Sequence, residues 1–239
     1  MKKIFFIIVL IFSIVFTKES FASSGWQFGF NIPIGASFGF YKVRFSSDAP
    51  QDYKDNYAER KSSIGFDAGL TFQAGYLIGD GEKGISLLLD VGYSHDTFAI
   101  RGKDTDIKEY YTFENMQLGI LPKFHKGNYA VGFGIGIKIP FQLIHTAETY
   151  TNNVKSETTT KYSVDQLDSV FKDSLITYVK FSFDYSFYLS DKIAVLLGAY
   201  IGGDFNLDAR GAEKNYVENR NLSSLDVGLQ IGLKLGNGI

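Results

Sequence analysis

Residues 26–40 read WQFGFNIPIGASFGF, and each even position carries an apolar side chain. Gln, Gly, Asn, Pro and Ser occupy the odd positions. Because successive side chains of a β-strand point to opposite faces, this stretch predicts a strand with one apolar face and one small or polar face. Pro33 is the exception to the pattern, since proline cannot donate to a strand ladder and is usually confined to edges or bulges.

Seven more segments repeat this alternation, and they are 64–76, 85–93, 111–124, 129–143, 175–189, 193–205 and 225–235. The apolar faces of the eight segments contain no Asp, Glu, Lys or Arg, although 21% of the chain is charged. A charge facing lipid at the middle of a bilayer costs roughly 2–4 kcal/mol. The charge-free faces therefore indicate strands that face lipid.

In one segment the apolar side chains change from odd to even positions. In 111–124, Tyr111 and Phe113 are odd whereas Met116 and the later apolar residues are even. A β-bulge near Glu114 and Asn115 would place both groups on one face, so we expect Tyr111 and Phe113 to point outward.

In 129–143 the alternation is unbroken, from Tyr129 to Leu143. It predicts that Leu143 also points outward, like the other odd-numbered apolar residues of this segment.

The connections between segments alternate in length. Short polar links at 79–84, 125–128 and 190–192 alternate with long links at about 46–63, 95–110, 144–174 and 206–222. Lipid offers no hydrogen bonds, so a spanning sheet must close on itself. Outer-membrane barrels combine short periplasmic turns with long outer loops. The sequence thus predicts an all-β, eight-stranded, antiparallel, up-and-down transmembrane β-barrel.

Over residues 26–235 the pattern resembles the small eight-stranded outer-membrane barrels of the OmpA/OmpX transmembrane-domain type. The resemblance implies the outer membrane of a diderm bacterium, with the four long loops extracellular. It also implies that outer-membrane lipid and the outer-membrane assembly machinery are partners, and that the loops can hold an extracellular ligand.

The first 22 residues predict a cleaved signal peptide. Lys2 and Lys3 precede an apolar run at 4–16 that is shorter than the ~20 residues of a spanning helix. Small residues at Ser20 and Ala22 suit cleavage after Ala22. We therefore expect the barrel domain to comprise residues 23–239.

Charged residues at inward positions predict a network in the barrel lumen. They are Asp67, Asp90, Asp184, Asp204, Asp226, Lys123, Lys138, Lys180 and Lys234. The interior of an eight-stranded barrel is only just wide enough for side chains, and buried charges must pair. For Lys138 and Lys180 we expect partners among Asp90, Asp184, Asp204 and Asp226. Such a network either plugs the barrel or lines a narrow ion path.

The third long link, 144–174, contains a candidate lid. Val164, Leu167, Val170 and Phe171 recur at helical spacing, which predicts a short amphipathic helix over the barrel mouth. Binding residues concentrate on loops held by a rigid scaffold. The segment is therefore either a lid or binding surface, or a solvated loop without a specific role.

The sequence contains few candidates for catalytic residues. Ser94, His95 and Asp96 stand at the start of the second long link, at the height where lipid A-modifying barrels carry their His and Ser. A catalytic triad is defined by geometry, and we assign no catalytic residue. The chain has no Cys and three scattered His, so no metal or other cofactor is predicted. A net charge of −2 does not suit nucleic acid.

Three hypotheses for function remain. The leading one is a non-enzymatic structural and surface-interaction protein that acts through its extracellular loops. The alternatives are a narrow small-solute or ion channel and, less favoured, a lipid A-modifying enzyme.

Overall fold

The computed structural model describes residues 24–55, 59–80, 82–103, 106–151, 154–210 and 216–236. The predicted signal peptide, residues 1–22, lies outside the described residues. Within those ranges, no helix has the length and hydropathy that a membrane span requires.

Strands dominate the described chain, with two short helices between them. In chain order the elements are β1 (Gly25–Phe45), α1 (Gln51–Asp55), β2 (Arg60–Ser62), β3 (Ile64–Gly79), β4 (Lys83–Gly102), β5 (Ile107–Lys126), β6 (Tyr129–Thr151), β7 (Val154–Ser163), α2 (Val164–Val170), β8 (Phe171–Asp173), β9 (Ile176–Ser190), β10 (Ile193–Ala209) and β11 (Val217–Gly236).

Eight of these strands form a closed antiparallel ring. Its order is β1, β3, β4, β5, β6, β9, β10, β11 and back to β1. The closing pairs are regular, with Ile32 opposite Ile231 and Ile201 opposite Val227. The predicted eight-stranded antiparallel barrel is therefore confirmed.

The two ends of the barrel differ. At one end, here called the turn end, short connections at 80–82, 127–128 and 191–192 join neighbouring strands. At the opposite end, the loop end, three extra strands extend the ring: β2 pairs with β4, β7 with β6, and β8 with β10.

Strands continue further into the loop end than the sequence predicted. Within the predicted second loop, β4 runs to Gly102 and β5 starts at Ile107, so most of 95–110 is a hairpin. Residues 142–151 of β6 pair with residues 154–163 of β7 in a second antiparallel ladder. The apolar alternation stops where lipid contact stops, but the ladder continues because Thr and Tyr still favour strands.

The outer face of the ring is an exposed apolar belt. Phe72, Phe183 and Ile231 are each about half exposed. Aromatic pairs mark the turn end, where Trp26 contacts Tyr76 edge to face with ring centroids 5.7 Å apart. A continuous exposed apolar surface marks a site of contact with other apolar matter, and an apolar band with aromatic girdles is the surface of a barrel in lipid.

One bulge shifts the phase differently from the prediction. The register between β5 and β6 changes between Glu114 and Asn115, but these pair with Gln142 and Pro140. The extra residue is therefore Phe141 on β6, and β5 itself has no phase change.

Three inward side chains follow from the position of this bulge. The prediction that Tyr111, Phe113 and Leu143 point outward is wrong: Phe113 and Leu143 are fully buried in a core cluster, and Tyr111 packs against it. The physical reason is the apolar interior of the loop end, where these side chains find neighbours that a lumen of polar groups would not supply.

The structure accommodates Pro33 through a gap in one ladder. Pairing between β1 and β3 runs to Asn31 opposite Thr71 and resumes at Ile34 opposite Ala68. Gly69 stands beside the proline, and a Cβ atom there would lie 3.3 Å from Pro33 Cγ. A glycine neighbour thus leaves room for the proline ring on the donor-free side of the strand.

Candidate functional site

The interior of the barrel holds charged and polar side chains from the turn end to past its middle, and apolar side chains at the loop end. The structure places all nine predicted lumen charges inside the barrel, where each is at most 9% exposed. Inward positions alternate with belt positions along every strand, so the same alternation that builds the apolar belt also builds this interior.

Near the turn end, an ion pair joins β5 to β9 inside the barrel. Lys123 Nζ lies 2.9 Å from Asp184 Oδ2 and donates a 3.1 Å hydrogen bond to Gln73 Oε1. The Gln230 amide donates to the other Asp184 oxygen. Lys234, closer to the turn end, donates to the Tyr188 hydroxyl at 3.2 Å.

At mid-height, neutral donors take the place of the lysine expected beside Asp90. The amides of Gln117 and Gln73 donate to its carboxylate at 2.6 and 3.0 Å. Lys180 forms no salt bridge within the described ranges, and instead donates to Gln230 at 3.2 Å and lies 4.8 Å from the Tyr200 ring centroid. The expected carboxylate partner of Lys180 is therefore replaced by an amide and an aromatic ring.

Toward the loop end, Lys138 is the centre of the network. Its Nζ lies 2.8 Å from Asp96 and 2.8 Å from Asp204. Asp96 also accepts hydrogen bonds from Asn115 at 2.6 Å and from Ser94 at 2.7 Å. Because all of its partners are buried with it, this cluster supplies the counter-charges and donors that a buried ion requires.

Two more carboxylates complete the loopward half of the network. Asp67 accepts a hydrogen bond from the Tyr200 hydroxyl, and Asp226 accepts one from Ser224 at 3.1 Å. Both predicted lumen residues thus bond to neutral hydroxyl groups.

Sequence reasoning missed Asp96, because it placed residues 95–110 in a loop. The pattern that would have found it is the even-numbered series Asp90, Ser94 and Asp96, which keeps the inward phase of β4 beyond the apolar belt. A strand that ends its lipid contact does not have to end its inward alternation.

An apolar cluster fills the loop-end mouth above the charged groups. Its buried members are Phe98, Ile100, Phe113, Leu143, Leu167, Phe171, Ile176, Leu207 and Leu222. The Phe113 ring lies 5.4 Å from that of Phe98 and 5.5 Å from that of Phe171. Each of these nine side chains is at most 2% exposed, so the mouth is closed by a buried apolar core.

The predicted lid residues divide between this cluster and the surface. Leu167 on α2 and Phe171 just after it are buried in the cluster, and Val170 packs against it. Val164 at the start of α2 is 55% exposed. Ser163 is the N-cap of α2, and its backbone N–H donates to the Gln166 side chain at 3.1 Å, a contact that satisfies one helix-start donor.

The cavities found between the lumen side chains are small. One of about 40 Å³ is lined by Asp67, Lys138, Tyr178, Tyr200 and Asp226, among others. Another of about 20 Å³ lies beside Lys123, Asp184 and Lys234. Since a water molecule needs roughly 10–15 Å³ of such volume, these cavities hold a few waters at most.

The Ser94, His95 and Asp96 sequence does not assemble into a catalytic arrangement. Ser94 Oγ donates to Asp96 inside the barrel. His95 lies on the outer face, where its Nδ1 is 3.0 Å from Glu114 Oε1 and its ring meets Phe66. Strand alternation separates the imidazole from the other two groups. No group of three His, Asp or Glu able to hold a metal occurs in the described segments.

Comparisons with known proteins add structural neighbours. No protein-family model matches the chain, and no curated protein matches it. Among solved structures, it is similar to Neisserial surface protein A at 15% identity and a TM-score of 0.32, covering 84% of this chain and 96% of that one.

Two further neighbours have similar coverage. They are the outer membrane protein OprG from Pseudomonas aeruginosa (11% identity, TM-score 0.38, 91% of this chain and 100% of that one) and the attachment invasion locus protein Ail of Yersinia pestis with a heparin analogue (9% identity, TM-score 0.31, 86% and 98%). The fold assignment rests on the strands of this chain. The closed ring and its apolar belt give it the fold of the small eight-stranded outer-membrane β-barrels.

Proposed function

We propose that this protein is a non-enzymatic outer-membrane anchor that presents its loop end at the cell surface for contact with an extracellular partner. The observation that carries the proposal is the filled interior. A charged network with small cavities lies beneath an apolar cluster at the mouth. Such an interior suits a rigid scaffold better than a conduit.

The loop end supplies the surface for such contacts. All the side chains of β7 except Tyr162 are exposed, and its one described strand neighbour is β6. Together with the β4–β5 hairpin, it extends the barrel beyond the apolar belt. We propose that this end is extracellular and the turn end periplasmic, since outer-membrane barrels keep short turns on the periplasmic side.

The partners proposed for the barrel itself follow from its surface. The apolar belt suits outer-membrane lipid as its permanent neighbour, and a closed ring of this kind would require the outer-membrane assembly machinery to insert it. No specific residue of the chain is assigned to that machinery.

The channel hypothesis is the second candidate, and the charged lumen favours it. Lys138 and its carboxylates would line any ion path, but Phe113, Leu143 and Phe171 close the mouth above them. Planar-bilayer recordings distinguish the two functions. We expect wild-type protein to give no regular conductance steps. Steps that change with Lys138→Glu would favour the channel.

Orientation has its own test because the chain has no Cys. A Ser156→Cys variant places a thiol in exposed β7, and an Asp191→Cys variant places one in a turn-end connection. We expect a membrane-impermeant maleimide to label the first variant on intact cells and the second only after lysis. The reverse pattern would overturn the proposed orientation.

A further inference from the structure

Three cations lie side by side on the outer face of the loop-end sheet. Lys61 of β2 is directly opposite Arg101 of β4, and Arg101 is directly opposite Lys108 of β5. We call Lys61, Arg101 and Lys108 the cation row. Directly opposed side chains have Cβ atoms about 4.5–5.5 Å apart, and like charges in such pairs are destabilising. The register therefore holds together charges that repel each other.

The nearby carboxylates form their ion pairs with lysines outside the row, although Glu148 and Glu59 also attract Lys108 and Lys61 electrostatically. Glu148, the next residue in register after Lys108, bonds to Lys155 at 2.6 Å, and Glu157 beyond it bonds to the same lysine at 2.9 Å. Glu59 pairs with Lys103. Within the part of the chain that the structure describes, none of the three cations of the row forms a salt bridge.

A cavity of about 420 Å³ opens beside the row. Lys61, Arg101, Lys103, Lys108, Asp106 and Tyr150 line it. Among the described lining residues, the three cations of the row and Lys103, which pairs with Glu59, face the carboxylate of Asp106. The Tyr150 ring, 5.7 Å from Lys108 Nζ, adds an aromatic surface. This volume falls in the range of small-molecule sites, about 300–1,000 Å³, and its chemistry suits a group with several negative charges.

The row lies just beyond the apolar belt. On β3 the belt reaches Ile64, which is 64% exposed, and Lys61 precedes Ile64 by three residues. At about 3.3 Å per residue and a strand tilt of about 40°, Lys61 stands roughly 8 Å beyond Ile64. Anionic groups at the membrane surface and those of an external ligand are both within reach of the row, so the binding test has to separate the two sources.

We propose that the cation row binds the sulfate or phosphate groups of an anionic oligosaccharide outside the cell. This inference deepens the surface-interaction function and rests on it. A guanidinium and two ammonium groups in line match anionic groups repeated along a sugar chain, and arginine can bind such oxyanions with two parallel hydrogen bonds. Tyr150 provides a flat contact for a sugar ring.

The test compares two variants that each lose three positive charges. One replaces the row, Lys61→Gln, Arg101→Gln and Lys108→Gln. The matched control replaces Lys54 of α1, Lys161 of β7 and Lys172 of β8, none of which lines the cavity as described. Calorimetry on protein in detergent measures binding of a heparin octasaccharide, of its desulfated form and of lipopolysaccharide. Unboiled gel mobility verifies that each barrel is folded.

We expect wild type and control to bind the sulfated octasaccharide, and the row variant to bind it at least about tenfold more weakly, the combined value of three exposed ion pairs. The desulfated form should bind to neither. An equal loss in both variants, or no binding by wild type, would overturn the site. Binding of lipopolysaccharide but not of the octasaccharide would overturn the proposal that the ligand is an oligosaccharide outside the cell. Binding in detergent does not depend on the orientation of the barrel in the membrane. Loss of binding would therefore overturn the cation site alone, whereas reversed cysteine labelling would overturn the proposed orientation.

Discussion

Lys138 of β6 bonds to Asp96 of β4 across the face of the intervening strand β5, with Nζ 2.8 Å from Oδ1. The same ammonium group holds Asp204 of β10 at 2.8 Å. One buried cation therefore ties together strands that do not pair directly. This makes Lys138 the residue on which the charge balance of the loopward lumen depends.

Replacing Lys138 with Met should strongly destabilise the barrel. Removing one partner of a buried ion pair leaves an uncompensated charge and costs about 3–5 kcal/mol, and here Asp96 and Asp204 would both lose their counter-charge. Urea unfolding in lipid vesicles, followed by the fluorescence of Trp26, the single tryptophan, measures the loss in the free energy of unfolding.

A compensating variant tests the cause. Adding Asp96→Asn and Asp204→Asn to Lys138→Met removes the stranded charges, and we expect it to recover part of the lost stability. If the triple variant were no more stable than the single one, the explanation by unpaired charge would fail and lost packing would replace it.

The inward charges could be predicted from the sequence because they sit between clear belt positions. Asp184, for example, follows directly from the alternation of Phe183 and Tyr185. Its partner could not be predicted, since facing strands fix which lysine lies near it. Asp96, Phe113 and Leu143 were misplaced because the apolar pattern used to set the phase ends at the membrane boundary, whereas the ladder and its bulge continue above it.

Phe171→Ala should loosen the mouth without opening a pore. Phe171 is fully buried and meets Phe113 at 5.5 Å, so its truncation should cost about 3–5 kcal/mol, as for other buried phenylalanines. The charged network below the mouth remains filled, and we expect planar-bilayer recordings to stay silent. Val164→Ala is the control, because Val164 is exposed and its loss should be within about 0.5 kcal/mol. Regular conductance from the Phe171 variant would show that the apolar cluster alone closes the barrel.

Acidic pH should weaken the loop end at His145. Burial lowers the pKa of His145 below its usual range, despite the opposing charge of Glu109, and its ring stacks on Tyr111 with centroids 4.5 Å apart. The folded-state pKa of His145 lies below the unfolded value of about 6.5. The contribution of the neutral ring to the stability of the loop end is therefore fully present above pH 6.5, and it is lost as the pH falls through the folded-state pKa. Hydrogen exchange of 143–147, corrected for intrinsic rates, should therefore report more opening at pH 5 than at pH 7.5.

His145→Gln provides the comparison for this pH effect. The variant lacks a group that titrates in that window, and its protection should change less between the two pH values. An equal pH effect in both proteins would assign the sensitivity to another group.

Gly69→Ala should destabilise the barrel through its backbone contact. A Cβ atom at position 69 would lie 2.7 Å from the Tyr93 carbonyl oxygen and 3.3 Å from Pro33 Cγ, so β3 or β4 would have to move. Overpacking of this kind typically costs about 1–3 kcal/mol.

Gly134→Ala is a matched change at another inward glycine, where the nearest atom is the end of the Leu121 side chain at 3.3 Å. We expect urea unfolding to show a clear loss for the first variant and a smaller one for the second, since a side-chain end can move where a ladder carbonyl cannot. Equal losses would mean that added bulk in the lumen, rather than the approach of β4 and Pro33 to Gly69, limits both positions.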